Sequence, residues 1–386
     1  DDRNRDGGGE AVVTGTAQPE RGKKEALVRI VKRAELSNNK RMLLRLVSLA
    51  LALVAGGLFL LCLGYNPFKI YGTMVQGCFR SSIAFQGTML VIIPLLISSL
   101  GVTLAFKMRF WNIGAEGQII MGAIFASYFA LFHSGWPHPV LIFVMFIAGA
   151  LGGGLWGLLP AFFKVKFGAN ETLFTLMLNY IALHCITFLR DGPWADPDSS
   201  GFPKIARFSD NATLDRVFGV HIGWIVALVL VVLVFIYMTY TKQGYEISVV
   251  GESQATAAYA GMNVKRIVLR TMFLSGAIAG IVGFLLVSGA NNTLYSGVAA
   301  GAGFTAITVA WLAQLNPFAM VGISALLAVL QKGADTLNTQ MGIPTSLSDV
   351  ITGVLLFFML GCEFFINYKL VFRGAEERHK RKEAAK

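Results

Sequence analysis

The run from Ile222 to Tyr240 passes without one charged side chain, and apolar runs recur at 43–63, 88–106, 113–132, 140–163, 172–189 and 268–288, interrupted only by Arg45, Glu116 and Arg270. About 20 apolar residues suffice to cross the roughly 30 Å hydrocarbon core of a bilayer as a helix. None of these runs shows the alternation of a barrel strand, and in lipid only helices and closed barrels satisfy every backbone N–H and C=O. Shorter apolar runs at 301–315, 318–330 and 350–365 bring the count to about ten. The expected fold is therefore an all-α integral membrane protein of about ten transmembrane helices, some short or broken. A charged fraction of 14% and a mean hydropathy of +0.61 exclude an ordinary soluble domain.

The net charge of +11 does not point to nucleic acid, because the basic residues flank the apolar runs instead of forming one patch. With loops assigned alternately, most of the 33 Lys and Arg residues fall on one side, Lys107, Arg109, Lys164 and Lys166 among them. The positive-inside rule makes that side cytoplasmic and puts both termini there. Residues 1–40 read as a mobile polar tail, with a basic helix over 29–45 lying against lipid headgroups. The membrane domain follows over 41–367, and 368–386 form a basic cytoplasmic tail. The first apolar run is long enough to span and is not followed by an A-x-A site, so no cleavable signal peptide is expected. Residues 64–86 read as a loop or part-inserted segment interrupted by Lys69, Gln76, Arg80 and Gln86.

Polar residues inside such a chain need a reason, and three groups stand out. In FWNIGAEGQIIMG (110–122), Asn112 is suited to cap a helix and Glu116 to sit in its first turn, where the dipole favours an anion. Gly114, Gln118, Gly122 and Ala126 then repeat every four residues as a narrow face for close helix contact. In NETLFTLMLNYIA (170–182), Glu171, Thr175 and Asn179 fall on one helical face, for either interhelical hydrogen bonding or a solute path. The third group is Phe304, Thr305 and Thr308 at the start of a short run. Gly149, Gly153 and Gly157, with Gly276, Gly280 and Gly283, mark tight helix packing. Between two runs, Ser253 is a natural N-cap, the alanines after it favour helix, and Gly261 suits a left-handed stop, so a short non-spanning helix is expected.

Several of these words resemble permease subunits of bacterial ABC importers in the ribose, simple-sugar and branched-chain amino acid superfamily. They are NIGAEGQ, NETLFTLMLNYIA, SGAIAGIVGFLLVSG and VGESQATAAYAGMNVKR, and the likeness is nearest to the nucleoside branch served by basic-membrane-protein-type binding lipoproteins. The resemblance covers about 65–370 and implies a subunit in the bacterial cell membrane, paired with a second permease subunit, like or unlike. It implies an extracytoplasmic binding protein meeting the loop 190–221, and separate ATPase subunits docking on the loop 242–267 and using the ATP. Gly251, Ser253, Ala257, Ala258, Ala260, Gly261 and Arg266 would carry that coupling. Asn112, Glu116, Gln118, Glu171, Thr175, Asn179, Phe304, Thr305 and Thr308 would line the solute path. Thr305 stands where the family often has an acidic residue, and Glu252 and Ser253 depart from its usual loop.

The sequence has no G-x-x-x-x-G-K-[ST] phosphate loop, so this chain is not expected to hydrolyse ATP. It has no HExxH, nucleophile elbow or Cys/His metal spacing, and Cys62, Cys78, Cys185 and Cys362 read as small buried hydrophobes. No cofactor, metal or nucleic acid is expected. The competing class is an ion-driven secondary transporter in which Glu116 and Glu171 bind protons; a membrane-embedded enzyme is more distant.

Overall fold

The computed structural model describes residues 28–32, 38–197, 199, 201–344 and 346, scattered positions between 350 and 366, and 368–372. The chain forms two units. The smaller contains the strands β1 (Val28–Lys32) and β4 (Tyr368–Phe372), paired antiparallel with Val28 opposite Phe372 and Lys32 opposite Tyr368. The strand at 28–32 corrects the first part of the basic helix expected over 29–45, residues 33–37 lie outside the described residues, and 38–45 are helical within α1. β-Branched Val28, Ile30 and Val31 favour the extended form.

The larger unit, Val47–Leu360, is helical. Its elements are α1 (Asn38–Cys62) from Val47 on, α2 (Pro67–Phe79), α3 (Ser82–Lys107), α4 (Ala115–Phe132), α5 (His138–Phe167), α6 (Glu171–Asp191) and α7 (Gly223–Tyr240). They continue as α8 (Lys242–Glu252), α9 (Gln254–Tyr259), α10 (Val264–Leu285), α11 (Ala302–Leu312) and α12 (Pro317–Met341). Among the described residues seven helices are long and apolar enough to cross a membrane, or eight if the pair α1–α2, bent by 117°, counts as one span.

The departures from the expected ten have local causes. The segment 64–86 is mostly α2, whose start is fixed by Asn66, its side chain accepting from Phe68 N and Lys69 N, with Pro67 at the first helical position. The run at 301–315 is helical for only 11 residues, or about 16 Å at 1.5 Å per residue, too short to cross. The run at 318–330 belongs to a 25-residue helix that continues through Gln331, Asp335 and Asn338 to a left-handed Gly342. The run at 350–365 lies largely outside the described residues.

Glycine sets the core. Gly122 of α4 and Gly153 of α5 each lie against Gly280 of α10, and a Cβ on Gly280 would also meet Gly153 N at 3.0 Å. Gly157 faces the Met272 carbonyl, and Gly101 of α3 faces the Ser275 carbonyl, where a Cβ would come within 2.8 Å. The glycine series read from the sequence therefore meet each other, letting α4, α5 and α10 approach backbone to backbone. Without a hydrophobic drive between helices in lipid, that close packing supplies the association energy.

Chain order fixes two ends of this bundle. At one lie the α3–α4 and α5–α6 connections and the elbow α8–α9, with Gly251 seated against the Lys107 carbonyl. At the other lie the α4–α5 turn, the segment 192–222 and the end of α10, which loosens into a π-helical turn, Leu286–Asn291.

Candidate functional site

The polar groups within the bundle divide into those engaged by protein and those left open. Asn112 and Gln118 are both buried and face each other as paired amides: Asn112 Nδ2 donates to Gln118 Oε1 (3.2 Å) and Gln118 Nε2 to Asn112 Oδ1 (3.1 Å). Asn112 Nδ2 also donates to Ser275 Oγ of α10 (3.3 Å). Asn112 is not the cap of α4, because Gly114 holds that position with no side chain to offer. The caps come from elsewhere in the fold. Asn179 of α6 accepts from Gly117 N (2.8 Å) and donates to the Ile113 carbonyl (2.9 Å), while Thr175 Oγ1 accepts from Ile113 N (3.3 Å). One stripe of α6 thus satisfies backbone groups that the start of α4 leaves orphaned.

Glu116 does the same for α11. Its Oε1 accepts from Gly301 N (2.9 Å) and its Oε2 from Gly303 N (2.8 Å). Ala300 (φ 47°) and Gly301 (φ 77°) lie in the left-handed region, so the chain turns sharply into α11 with N–H groups aimed at one carboxylate. Gly303 packs directly on the Glu116 backbone and leaves no room for a Cβ. Glu171 stands apart from Thr175 and Asn179, ion-paired with Lys164 of α5 at 2.7 Å. Thr305 Oγ1 bonds back to the Gly301 carbonyl (3.2 Å). Phe304 is exposed and Thr308 half-buried, and with exposed Trp311 they form an open stripe at i, i+4, i+7.

The residues of α4 and α6 expected to line a path thus have partners within the protein. Four open polar side chains gather around a cavity of about 630 Å³ walled by α3, the π turn, 295–302 and α12. It is lined by Asn291, Tyr295, Gln331 and Asp335 among apolar neighbours such as Val91 and Leu286. The apolar run expected at 318–330 ends just short of Gln331 and Asp335. The available signal was a second polar stripe, Gln331, Asp335 and Asn338 at i, i+4, i+7.

The segment 192–222 is built onto the π turn. Leu214 N donates to the Ser288 carbonyl and Phe208 N to the Asn292 carbonyl, both at 2.9 Å, and Thr293 Oγ1 to the Ile205 carbonyl at 3.2 Å. A two-residue loop with Phe218 (φ 56°) and Gly219 (φ 80°) closes the hairpin of β2 (Arg216–Val217) and β3 (Val220–His221), as a type I′ turn requires. His221 is buried against Gly289 and accepts from Gly223 N at 3.1 Å. Burial, with Arg216 adding repulsion, pulls its pKa down to about 4, so it is neutral near pH 7.

At the opposite end α8 and α9 form an elbow. Ser253 caps α9 through Thr256 N (3.2 Å), and Gly261 (φ 77°) ends the turn after it. Ala257 is buried and anchors α9, whereas Ala258, Ala260 and Gly261 are exposed and Tyr259 stands out at 96% exposure. The Arg266 backbone N is held by Asn263 Oδ1 (3.1 Å), and its side chain is exposed. Gly251 fixes the elbow against Lys107. Among the described residues no His, Cys, Asp and Glu cluster is arranged to hold a metal.

A multi-pass helical bundle with glycine-packed helices, a polar cavity and an exposed elbow at one end has the make-up of a membrane permease. A family model described as "Branched-chain amino acid transport system / permease component" matches residues 84–360, and the chain belongs to that family. A glucose ABC transporter permease of Haloferax volcanii is 31% identical over 332 residues, covering 83% of this chain and 87% of that protein. A guanosine ABC transporter permease of Bacillus subtilis is 30% identical, covering 86% of this chain and 98% of that one. A nucleoside ABC transporter permease of Lactococcus lactis is 29% identical, covering 86% and 94%.

Proposed function

We propose that this chain is the permease subunit of an ATP-driven importer for nucleosides, purine nucleosides such as guanosine among them, in a bacterial cell membrane. The observation that carries the solute is the match over 86% of the chain to permeases of guanosine and of nucleosides. A sugar is the second reading, favoured by the Haloferax volcanii relative.

The subunit crosses the membrane an even number of times with both termini cytoplasmic. Pairing of β1 with β4 supports an even number of crossings, since two tails that share hydrogen bonds lie on one side. ATP is bound and hydrolysed by separate subunits that seat on the exposed face of α9 around Tyr259. Buried Ala257 and the Gly251–Lys107 contact pass their movement to α3 and α4. An extracytoplasmic binding protein delivers solute over 190–221. A second permease subunit completes the path beside the open stripe of Phe304, Thr308 and Trp311. Asn112, Gln118, Thr175 and Asn179 hold the wall of that path, and Glu116 holds the entrance to α11.

The test is uptake of labelled guanosine by the reconstituted complex with unlabelled nucleosides, glucose or leucine as competitors. Competition by nucleosides alone supports this reading. Competition by glucose alone replaces it with the second, and competition by leucine alone refutes both.

A further inference from the structure

In hydrocarbon a polar group without a partner is costly, so several of them gathered around one open cavity call for water or a ligand there. Among the described residues the side chains of Asn291, Tyr295, Gln331 and Asp335 have no hydrogen-bond or ion-pair partner, although all four border one cavity. Asn112, Gln118, Thr175, Asn179 and Glu116, equally polar, are all bonded within the protein. At about 630 Å³ the cavity falls within the range of small-molecule sites. Tyr295 also borders a second depression, of about 430 Å³, together with Arg190, Lys204 and Arg207 of the 190–221 segment. It thus forms the wall between the cavity and the face away from α8 and α9.

The four side chains define a complementary ligand. An ionised carboxylate only accepts, so Asp335 calls for paired donors, and two adjacent hydroxyls meet its two oxygens. Asn291 and Gln331 both donate and accept. Tyr295 offers a flat aromatic face on which a planar ring stacks. A ligand with a vicinal diol at one end and a planar heterocycle at the other satisfies both; a hexose has no such ring, and a branched-chain amino acid has neither.

Building on the nucleoside reading above, we propose that this cavity is a solute-binding site within the permease itself, in which Asp335 takes the 2′- and 3′-hydroxyls of a ribonucleoside and Tyr295 stacks on its base. The permease then selects on sugar hydroxyls independently of the binding protein.

The experiment uses the complete transporter in proteoliposomes with one fixed binding protein, and guanosine and 2′,3′-dideoxyguanosine as probes. Asp335→Asn raises the KM for guanosine about 10- to 100-fold, the worth of a charge-assisted hydrogen bond or two, and moves that for the dideoxy compound less than about 3-fold. Tyr295→Leu raises both KM values together, and Tyr295→Phe restores them. Asp335→Ser gives the same comparison should Asn impair assembly. Equal change for both probes, or none, in assembled Asp335 variants overturns the site. A wild-type complex that carries neither nucleoside overturns the nucleoside reading instead.

Discussion

Replacing Asn179 by Ala separates a scaffold role from a solute contact. Asn179 is 5% exposed and holds Gly117 N at 2.8 Å and the Ile113 carbonyl at 2.9 Å. Truncation leaves the buried Gly117 N–H and the part-buried Ile113 carbonyl without partners. Loss of a helix cap costs about 1–2 kcal/mol and a stranded carbonyl about 1–2 more, giving about 2–4 kcal/mol. That exceeds the mean of about 0.6 kcal/mol measured for interhelical bonds in a membrane protein, because here the partners are backbone groups with no alternative. At a few degrees per kcal/mol, thermal unfolding of the purified complex in detergent should fall by roughly 5 °C or more. The fraction that assembles should carry solute with an unchanged KM. Thr175→Val, which loses the 3.3 Å bond from Ile113 N and a local bond to the Thr172 carbonyl, should show a smaller shift of the same kind. An Asn179→Ala complex with unaltered melting and a KM raised tenfold would refute this reasoning and put Asn179 on the solute path.

Gly280→Leu should abolish accumulation in the membrane, since Gly149, Gly153 and Gly122 leave its Cβ no space, while Gly322→Leu, which faces open space, should accumulate normally; immunoblots of membranes check both. Tyr259→Ala should lower uptake and the coupling of ATP hydrolysis to solute without altering thermal stability, because this ring touches little in its own chain; hydrolysis assays with and without solute check it. His221, with its pKa held at about 4 against an ordinary 6.5, is uncharged in the fold and takes up a proton on unfolding as pH drops below 6.5. Its contribution of about 3 kcal/mol is complete above pH 6.5 and is lost between 6.5 and about 4, so melting of the wild type should fall across that window and His221→Gln should flatten the fall.

The apolar runs, the glycine series and the capped short helix were legible because each rests on local chemistry: length, spacing and the cap preferences of Ser253 and Gly261. The site was less so. Polarity inside an apolar run marks a group that needs a partner without saying which. Asn179, Asn112 and Glu116 find theirs on other helices, across 62, 163 and 185 residues of chain, and such pairings leave no local trace. Gln331 and Asp335 lie past the short apolar part of a helix that continues to Met341, although their four-residue spacing is visible. The kink at α1–α2 and the π turn of α10 depend on packing, through contacts such as the Tyr71 hydroxyl with the Leu53 carbonyl and Leu214 N with the Ser288 carbonyl.

The most direct test of this chain as a passage driven from outside itself is energy coupling in sealed vesicles. Vesicles bearing the permease, its ATPase subunits inside and the binding protein outside should concentrate guanosine only when ATP is enclosed, and vesicles without the ATPase subunits should not. Accumulation by the permease alone under an imposed proton or sodium gradient would contradict the account.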